Sequence, residues 1–403
     1  MSGHLRGGFY IAIFVLAFES TMLFNYLGRA PEIQGGGEAV AVADNLVRSG
    51  SFANPFIATA ETGPSAHVPP VFALILAAVM KLFGSHTNSA GFVLLAMVYG
   101  IHVAMLPRMS ILFFDKAGYG LYASAFCIFL PLFDLSPAWD AVYTATALMI
   151  FCLVSWRMLQ ARCSIPKMMG LGLFGALLVL LNPASALVFV PWIVFTAVRY
   201  RVRASMPAMF ALAVLLGCSP WVYRNWLVFH AFVPVRDDLG IALFSSNNDC
   251  AKATLVENIH SGCHSETHPI GSPAEARLVR DLGEVNYNRL RSAAARRWIQ
   301  ANFPKFASLT MRRIVEFWFP SNHHAIWIVT AISIVGWIAA IRTRNVFAWF
   351  AGAVFALYPL MYYIVEANPR YRYPILWLTV LYAGYGVGKV RGFLSEKRRE
   401  RSA

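Results

Sequence analysis

Charge is what this sequence has least of. Only 13% of its 403 residues are Asp, Glu, Lys or Arg, about half the share of an ordinary soluble domain. With 58% of residues hydrophobic and 14% aromatic, such a chain does not read as a set of water-soluble domains. Also missing are a phosphate loop, a dinucleotide fingerprint, a GxSxG elbow and an HExxH helix. The acyl-transfer and metallohydrolase readings lose ground accordingly. No small-residue cleavage site follows the first apolar run, so residues 9–27 are expected to be a retained helix rather than a cleaved signal.

What is present instead is a succession of apolar runs from Phe9 to Val390, each near the ~20 residues of helix that cross a bilayer. The expected fold is an all-α polytopic membrane protein with ten spans: 9–27, 87–107, 117–135, 139–157, 168–182, 184–199, 205–222, 323–341, 346–363 and 374–390. The net charge of +14 sits in short basic clusters between these runs, where the positive-inside rule puts topology signals. Nucleic acid is therefore not an expected partner. Both chain ends are read as cytoplasmic, with 389–403 a basic tail on anionic headgroups. The stretch PPVFALILAAVMKLFG at 69–84 would break this alternation as a crossing, so it is expected to lie along the outer membrane surface.

Within this single unit, 1–403, two outer segments stand out, 28–86 and 223–322. The second is too long for an ordinary connection and is expected to be functional. It carries Cys250 and Cys263, which an outer, oxidising compartment would allow to pair. Cys127, Cys152, Cys163 and Cys218 fall in or beside spans.

The polar residues expected at the outer face are the candidates for chemistry. Glu38 follows three glycines and opens a short helix that should run to about Arg48 and stop at Gly50. Asp140 repeats the pattern: Ser136-Pro137 reads as an N-cap and first helical residue, placing Asp140 in the first turn of the fourth span. A carboxylate in a first turn can simply complement the helix dipole, or the two can form one site, which the sequence leaves open. Arg224, Arg370 and Arg372 would present outward guanidiniums suited to phosphate, or anchor the helices by snorkelling. His67 is a candidate donor or metal ligand. Glu19, inside the first span, should face protein rather than lipid. His264, Glu266 and His268 in HSETHP have ligand-like types but read as a flexible exposed loop.

Five stretches in order, GEAVAVADNLVRSGSFANPF, GPSAHVPPVFALILAAVMKLFG, LSPAWDAVYTATALM, PWVYRNWLVFHAFVPVRDDLGIALFSSNN and NPRYRYPILWLTVLYAGYG, resemble the membrane glycosyltransferases of the GT-C class. The likeness is to glycosyltransferase family 39, related to protein O-mannosyltransferases and the aminoarabinose transferase acting on lipid A. It covers most of the chain. The resemblance implies transfer of a sugar from a polyprenyl-phosphate carrier to a lipid, glycan or protein acceptor, usually with inversion, at the outer face of a bacterial inner membrane. By that likeness Glu38 matches the first-loop acid and would be the base. Asp140 would orient the acceptor or, with Glu38, hold a divalent metal. Arg370 and Arg372, with Arg224 a weaker match, would clamp the carrier phosphate, and His67 and Tyr371 would touch substrate. This chain departs from the pattern in having Gly37 before Glu38, where many relatives carry an Asp-Glu pair, and His67-Val68 before the proline pair, where they carry lysine. Metal use and acceptor type stay open. The alternatives are a non-enzymatic lipid or solute transporter, which would show an internal repeat, and a membrane assembly protein, in which Glu38 and Asp140 would be replaceable.

Overall fold

The computed structural model describes residues 7–27, 37–133, 135–161, 164–201 and 203–402. Gly35, Gly36 and Cys163, to which the sequence reading gave a place, lie outside the described residues. The regular elements among the described residues are all helices: α1 Gly7–Tyr26, α2 Gly37–Ser49, α3 Pro70–Phe83, α4 Thr87–Phe114, α5 Ala117–Phe129, α6 Ala141–Gln160, α7 Ile165–Leu181, α8 Ala186–Tyr200, α9 Ser205–Phe229, α10 Leu239–Ser246, α11 Leu255–His260, α12 Cys263–Thr267, α13 Pro273–Leu282, α14 Glu284–Ala301, α15 Phe303–Trp318, α16 His324–Arg342, α17 Val346–Leu357, α18 Leu360–Tyr363 and α19 Tyr373–Ser402.

Six helical stretches are long and apolar enough to cross a membrane: Pro70–Phe114, Ala141–Gln160, Pro183–Tyr200, Ser205–Phe229, His324–Arg342 and Val346–Tyr363. Gly7–Leu23, Ala117–Phe129 and Ile165–Leu181 are shorter apolar helices. The first half of α19 packs its large aromatic side chains inward: Tyr373, Trp377 and Tyr382 are almost fully buried at the centre of the bundle. α19 lies between α16 and α5, α7 packs on α9, and α1 packs on α4. An aromatic cluster of Phe113, Trp156 and Phe347 ties α4, α6 and α17 together, with centroid separations of 4.8–5.2 Å.

Several expectations change in detail. α9 continues to Phe229, so the long segment between it and α16 starts beyond the end assigned to the seventh span. The tail 389–403 is, as far as Ser402, a continuation of α19 rather than a separate segment. Ser136-Pro137 does not start α6. The Ser136 hydroxyl accepts the Ala138 N–H within a turn (3.2 Å), and the helix begins at Ala141 with Asp140 at the N-cap position. Glu19 does not face protein: its side chain is exposed on the outer side of α1.

In the segment that carries α2 and α3, packing decides everything. α2 buries Val40 and Ala43 against Phe72 and Leu76 of α3, Ala138 and Leu181, and Val42 against Phe52, Val68 and Ala73. Each buried valine is worth roughly 1.5–3 kcal/mol, enough to fix the helix and hence Glu38 at its start. Gly50, at φ 72°, ends it in the left-handed region that glycine adopts without strain. α3 is joined to α4 by one tight turn, Gly84–His86, and its 14 residues span only about 21 Å.

Candidate active site

The segment from Ser51 to Pro69 brings His67 back over α2. Asn54, at φ 56°, closes it: its Oδ1 accepts the N–H groups of Thr62 (3.0 Å) and Gly63 (2.8 Å). Two outside groups then hold it. Arg224 of α9 donates to the carbonyls of Ser65 (2.8 Å) and Phe52 (3.0 Å), and Glu284 of α14 accepts from the Ser65 hydroxyl (2.5 Å) and Ala66 N–H (2.7 Å). Beyond Ala66, Arg236 donates to the His67 carbonyl (3.1 Å).

From the segment between α9 and α16, α12 presents His268 as its C-cap residue, 9% exposed. Cys250 and Cys263 are joined as a disulfide at the start of that helix, and the Thr59 hydroxyl donates to the Ile270 carbonyl (2.6 Å) just after it. Phe56, fully buried, lies edge-on to both imidazoles, at centroid distances of 4.9 and 5.9 Å. HSETHP is therefore not a loose loop. His264 stacks on His268 at 4.7 Å, and only Glu266 of the three points to solvent. The spacing of His264 and His268, one helical turn, was the available signal.

Glu38 Oε1 is 3.9 Å from His67 Nε2 and 3.8 Å from His268 Nε2. Burial lowers the His67 imidazole to about 3 and the His268 imidazole to about 4, against the pull of Glu38. Burial would raise Glu38, but the two histidines, its backbone and Arg370 outweigh it and hold the carboxyl at about 2. Imidazoles with those values carry charge only in acid. At neutral pH, Arg370 and the N-terminus of α2 are what favour the ionised form, leaving a carboxylate between two neutral rings.

That triad has the residue types and protonation states of a divalent-metal set, and its ligand atoms lie within 4.8 Å of one another. The outer faces of the rings fit less well. His268 Nδ1 accepts the Ile270 N–H (3.2 Å), and buried His67 Nδ1 has no hydrogen-bond partner among the described residues. Metal-bound imidazoles usually donate from that nitrogen to an acceptor, so His268 would have to exchange its bond to ligate through Nε2.

A cavity of about 390 Å³ opens beside this triad, and it is where the two sequence-selected acids meet. Its wall includes Glu38, Asp140, Arg370 and Tyr371 from the sequence reading and adds Trp139, Asn182, Arg236 and Asp238. Asn182 ends α7. Its Oδ1 accepts the Ala184 N–H (3.0 Å), which turns its Nδ2 onto Asp140 Oδ2 (2.8 Å); the Thr144 hydroxyl reaches the same oxygen at 3.3 Å. Burial raises the Asp140 carboxyl above its ordinary value despite Asn182, Arg370, Arg236 and Thr144. Asp238 is likewise raised by burial, though paired with Arg236 at 2.5 Å.

Asn368 caps the turn Pro369–Tyr371 through the Arg370 N–H (3.0 Å), and the Arg370 guanidinium lies over Trp139 at 5.4 Å. Tyr371 stacks on Tyr362 at 4.6 Å. Arg372 goes elsewhere. It is 2% exposed and donates to the Trp318 carbonyl (2.7 Å) and to the hydroxyls of Thr330 (2.9 Å) and Thr379 (3.1 Å). It is a strut between α15, α16 and α19, and takes no part in the cavity wall. Arg224 is likewise committed to the loop carbonyls and to Trp221, whose ring centroid is 4.9 Å away. Arg236, inside the VRDDLG stretch, was not among the residues singled out in the sequence; its place in the cavity wall comes from the packing of that stretch.

The class these observations define is a helical membrane protein with a polar, partly ionised cavity at one end of its apolar bundle. No protein-family model, curated protein or solved structure matches the chain.

Proposed function

We propose that this protein is a ten-span glycosyltransferase that moves a sugar from a polyprenyl-phosphate carrier to a hydroxyl or amine acceptor at the outer face of a bacterial inner membrane. The observation that carries the reading is one cavity walled by three carboxylates, of which Glu38 and Asp140 are in opposite electrostatic states, and two guanidiniums, at the end of apolar helices where a lipid carrier would arrive. In this reading α3 lies on the outer surface of the bilayer, as its short length favours.

The chemistry assigns the parts. The acceptor heteroatom attacks the anomeric carbon as the bond from that carbon to the phosphate oxygen breaks, and a single displacement of this kind inverts the configuration. The leaving polyprenyl phosphate keeps the bonding electron pair and is neutralised by Arg370 with Arg236. The acceptor proton goes to a carboxylate. A base is most effective when its pKa lies near the working pH, so Asp140, raised by burial, suits the role better than Glu38, which is held ionised in acid. Glu38 instead pins His67 and His268, and with them the two outer segments. This moves the base from the residue the resemblance favours to its neighbour in the cavity.

The test is transfer of a radiolabelled sugar from synthetic polyprenyl phosphate in membranes carrying Asp140→Asn. A loss of roughly 10²–10⁴-fold is expected for removal of a general base, with donor binding retained. Unchanged transfer would refute the base assignment. Transport of the intact lipid-linked sugar across vesicles, without transfer, would favour the transporter.

A further inference from the structure

We infer that the groove between α16 and α19 is a binding site for one anionic diacyl phospholipid, at the opposite end of the bundle from the catalytic cavity. α16 and α19 touch through glycine: a Cβ at Gly336 would stand 2.0 Å from the Tyr382 carbonyl oxygen, and one at Gly386 3.0 Å from that of Ile332. On the C-terminal side of this contact the groove opens to about 770 Å³. Ile332, Val335, Val387 and Val390 give it an apolar wall that ends at Arg391; Leu394 and Ser395 lie past that residue along α19, and Arg398 beyond them. Val335 and Val390 are more than half exposed, so acyl chain is the neighbour that fits them.

Depth along the helix separates this groove from the cavity. Arg391 follows Tyr373, the first residue of α19, by 18 positions, or about 27 Å of helix, close to the ~30 Å of a bilayer's hydrocarbon core. A guanidinium at that level meets the headgroup layer of the far leaflet. Arg391 and Arg398 are seven residues apart, two turns on one face, and both are exposed. Arg391 spends one N–H on the Tyr122 hydroxyl (2.8 Å), which aims the guanidinium and leaves further donors for a phosphate. An apolar channel ending in two aligned guanidiniums matches a chain with an anionic headgroup at its end. A zwitterionic lipid offers the same chains with its phosphate already paired.

The experiment is native mass spectrometry of the full-length protein released from micelles containing equimolar phosphatidylglycerol and phosphatidylcholine. One phosphatidylglycerol per chain is expected to survive release, and the Arg391→Gln/Arg398→Gln variant is expected to lose it about 30-fold, at roughly five-fold per basic side chain. Val335→Trp, which fills the groove and keeps both arginines, should also expel the lipid while the melting temperature holds. Equal retention of the two lipids, or full retention by both variants, would overturn the inference. So would displacement of the lipid by polyprenyl phosphate at equal concentration, since that would make the groove a carrier site.

Discussion

Glu38 and Asp140 stand at the starts of two helices, line one cavity and have opposite electrostatic character. Glu38 faces two imidazoles and a guanidinium and is held down at about 2. Asp140 accepts from Asn182 and Thr144 and feels the Arg370 and Arg236 guanidiniums, yet burial outweighs all four and raises it. Two carboxylates in similar sequence contexts thus acquire different capacities, one to stay ionised and one to take a proton, because the surroundings differ and the residue type barely does.

That contrast can be broken experimentally. The largest separation expected is between Glu38→Gln and Asp140→Asn in the pH profile of transfer. Glu38→Gln should loosen the outer segments and lower both transfer and melting temperature with the acid limb of the profile unmoved. Asp140→Asn should abolish the limb that reports the base. Identical profiles would show that the two acids act as one group.

Next in size is the stability of the HSETHP arm. Cys250→Ser should cost about 3 kcal/mol for a loop of this length, read as a lowered melting temperature of the outer region, and should weaken transfer by releasing His268 from Glu38. An unaltered melting temperature would mean that the α12 contacts hold the arm alone. The arginine pair sharpens the contrast from the other side. Arg370→Ala should weaken donor binding by roughly 10–100-fold, the value of a hydrogen bond to a charged group, with little change in melting. Arg372→Ala should instead destabilise by about 1–3 kcal/mol, through the Trp318 carbonyl and the two hydroxyls left unpartnered.

The smallest effect is one of pH on stability. Burial raises Glu284 from 4.5 to about 8, and Asp237 from 3.8 to about 7. A carboxyl whose folded value is raised holds a proton that the unfolded chain has already released. Its contribution is full below its ordinary value and is lost as the pH climbs to the folded one. His67 and His268, lowered by burial, act in the opposite sense, their contribution rising as the pH passes 6.5, so a fall in melting temperature between pH 6.5 and 8 reports the raised carboxyls, Glu284 and Asp237 among them. Glu284→Gln should flatten it, and an unchanged slope would remove Glu284 as the cause.

Much of the local structure was legible. The boundaries of α2 followed from a carboxylate in a first turn and a glycine stop, and the observed helix, Gly37–Ser49 with Gly50 at φ 72°, has them. The start of α6 was misread by four residues because the Ser136 hydroxyl closes a turn of its own, a choice that local chemistry leaves open. Span counting was legible only coarsely. α19 mixes glycine and tyrosine for close packing, and that lowers the hydropathy by which a membrane helix is recognised.

The sequence by itself determined the class of molecule, because hydrophobic composition and the lengths of apolar runs are properties of the chain that no packing alters. It also placed Glu38 and Asp140 at helix starts, since caps and stops act over a few residues. Only the tertiary structure decided which side chains share a cavity. Arg370 and Arg372 are two residues apart, yet one lines the cavity and the other is locked among Trp318, Thr330 and Thr379. His268 meets Glu38 across 230 positions because Phe56, the disulfide and the Thr59–Ile270 bond bring their segments together. Contacts of that range depend on the packing of whole helices, and the spacing of residues along the chain carries no record of it.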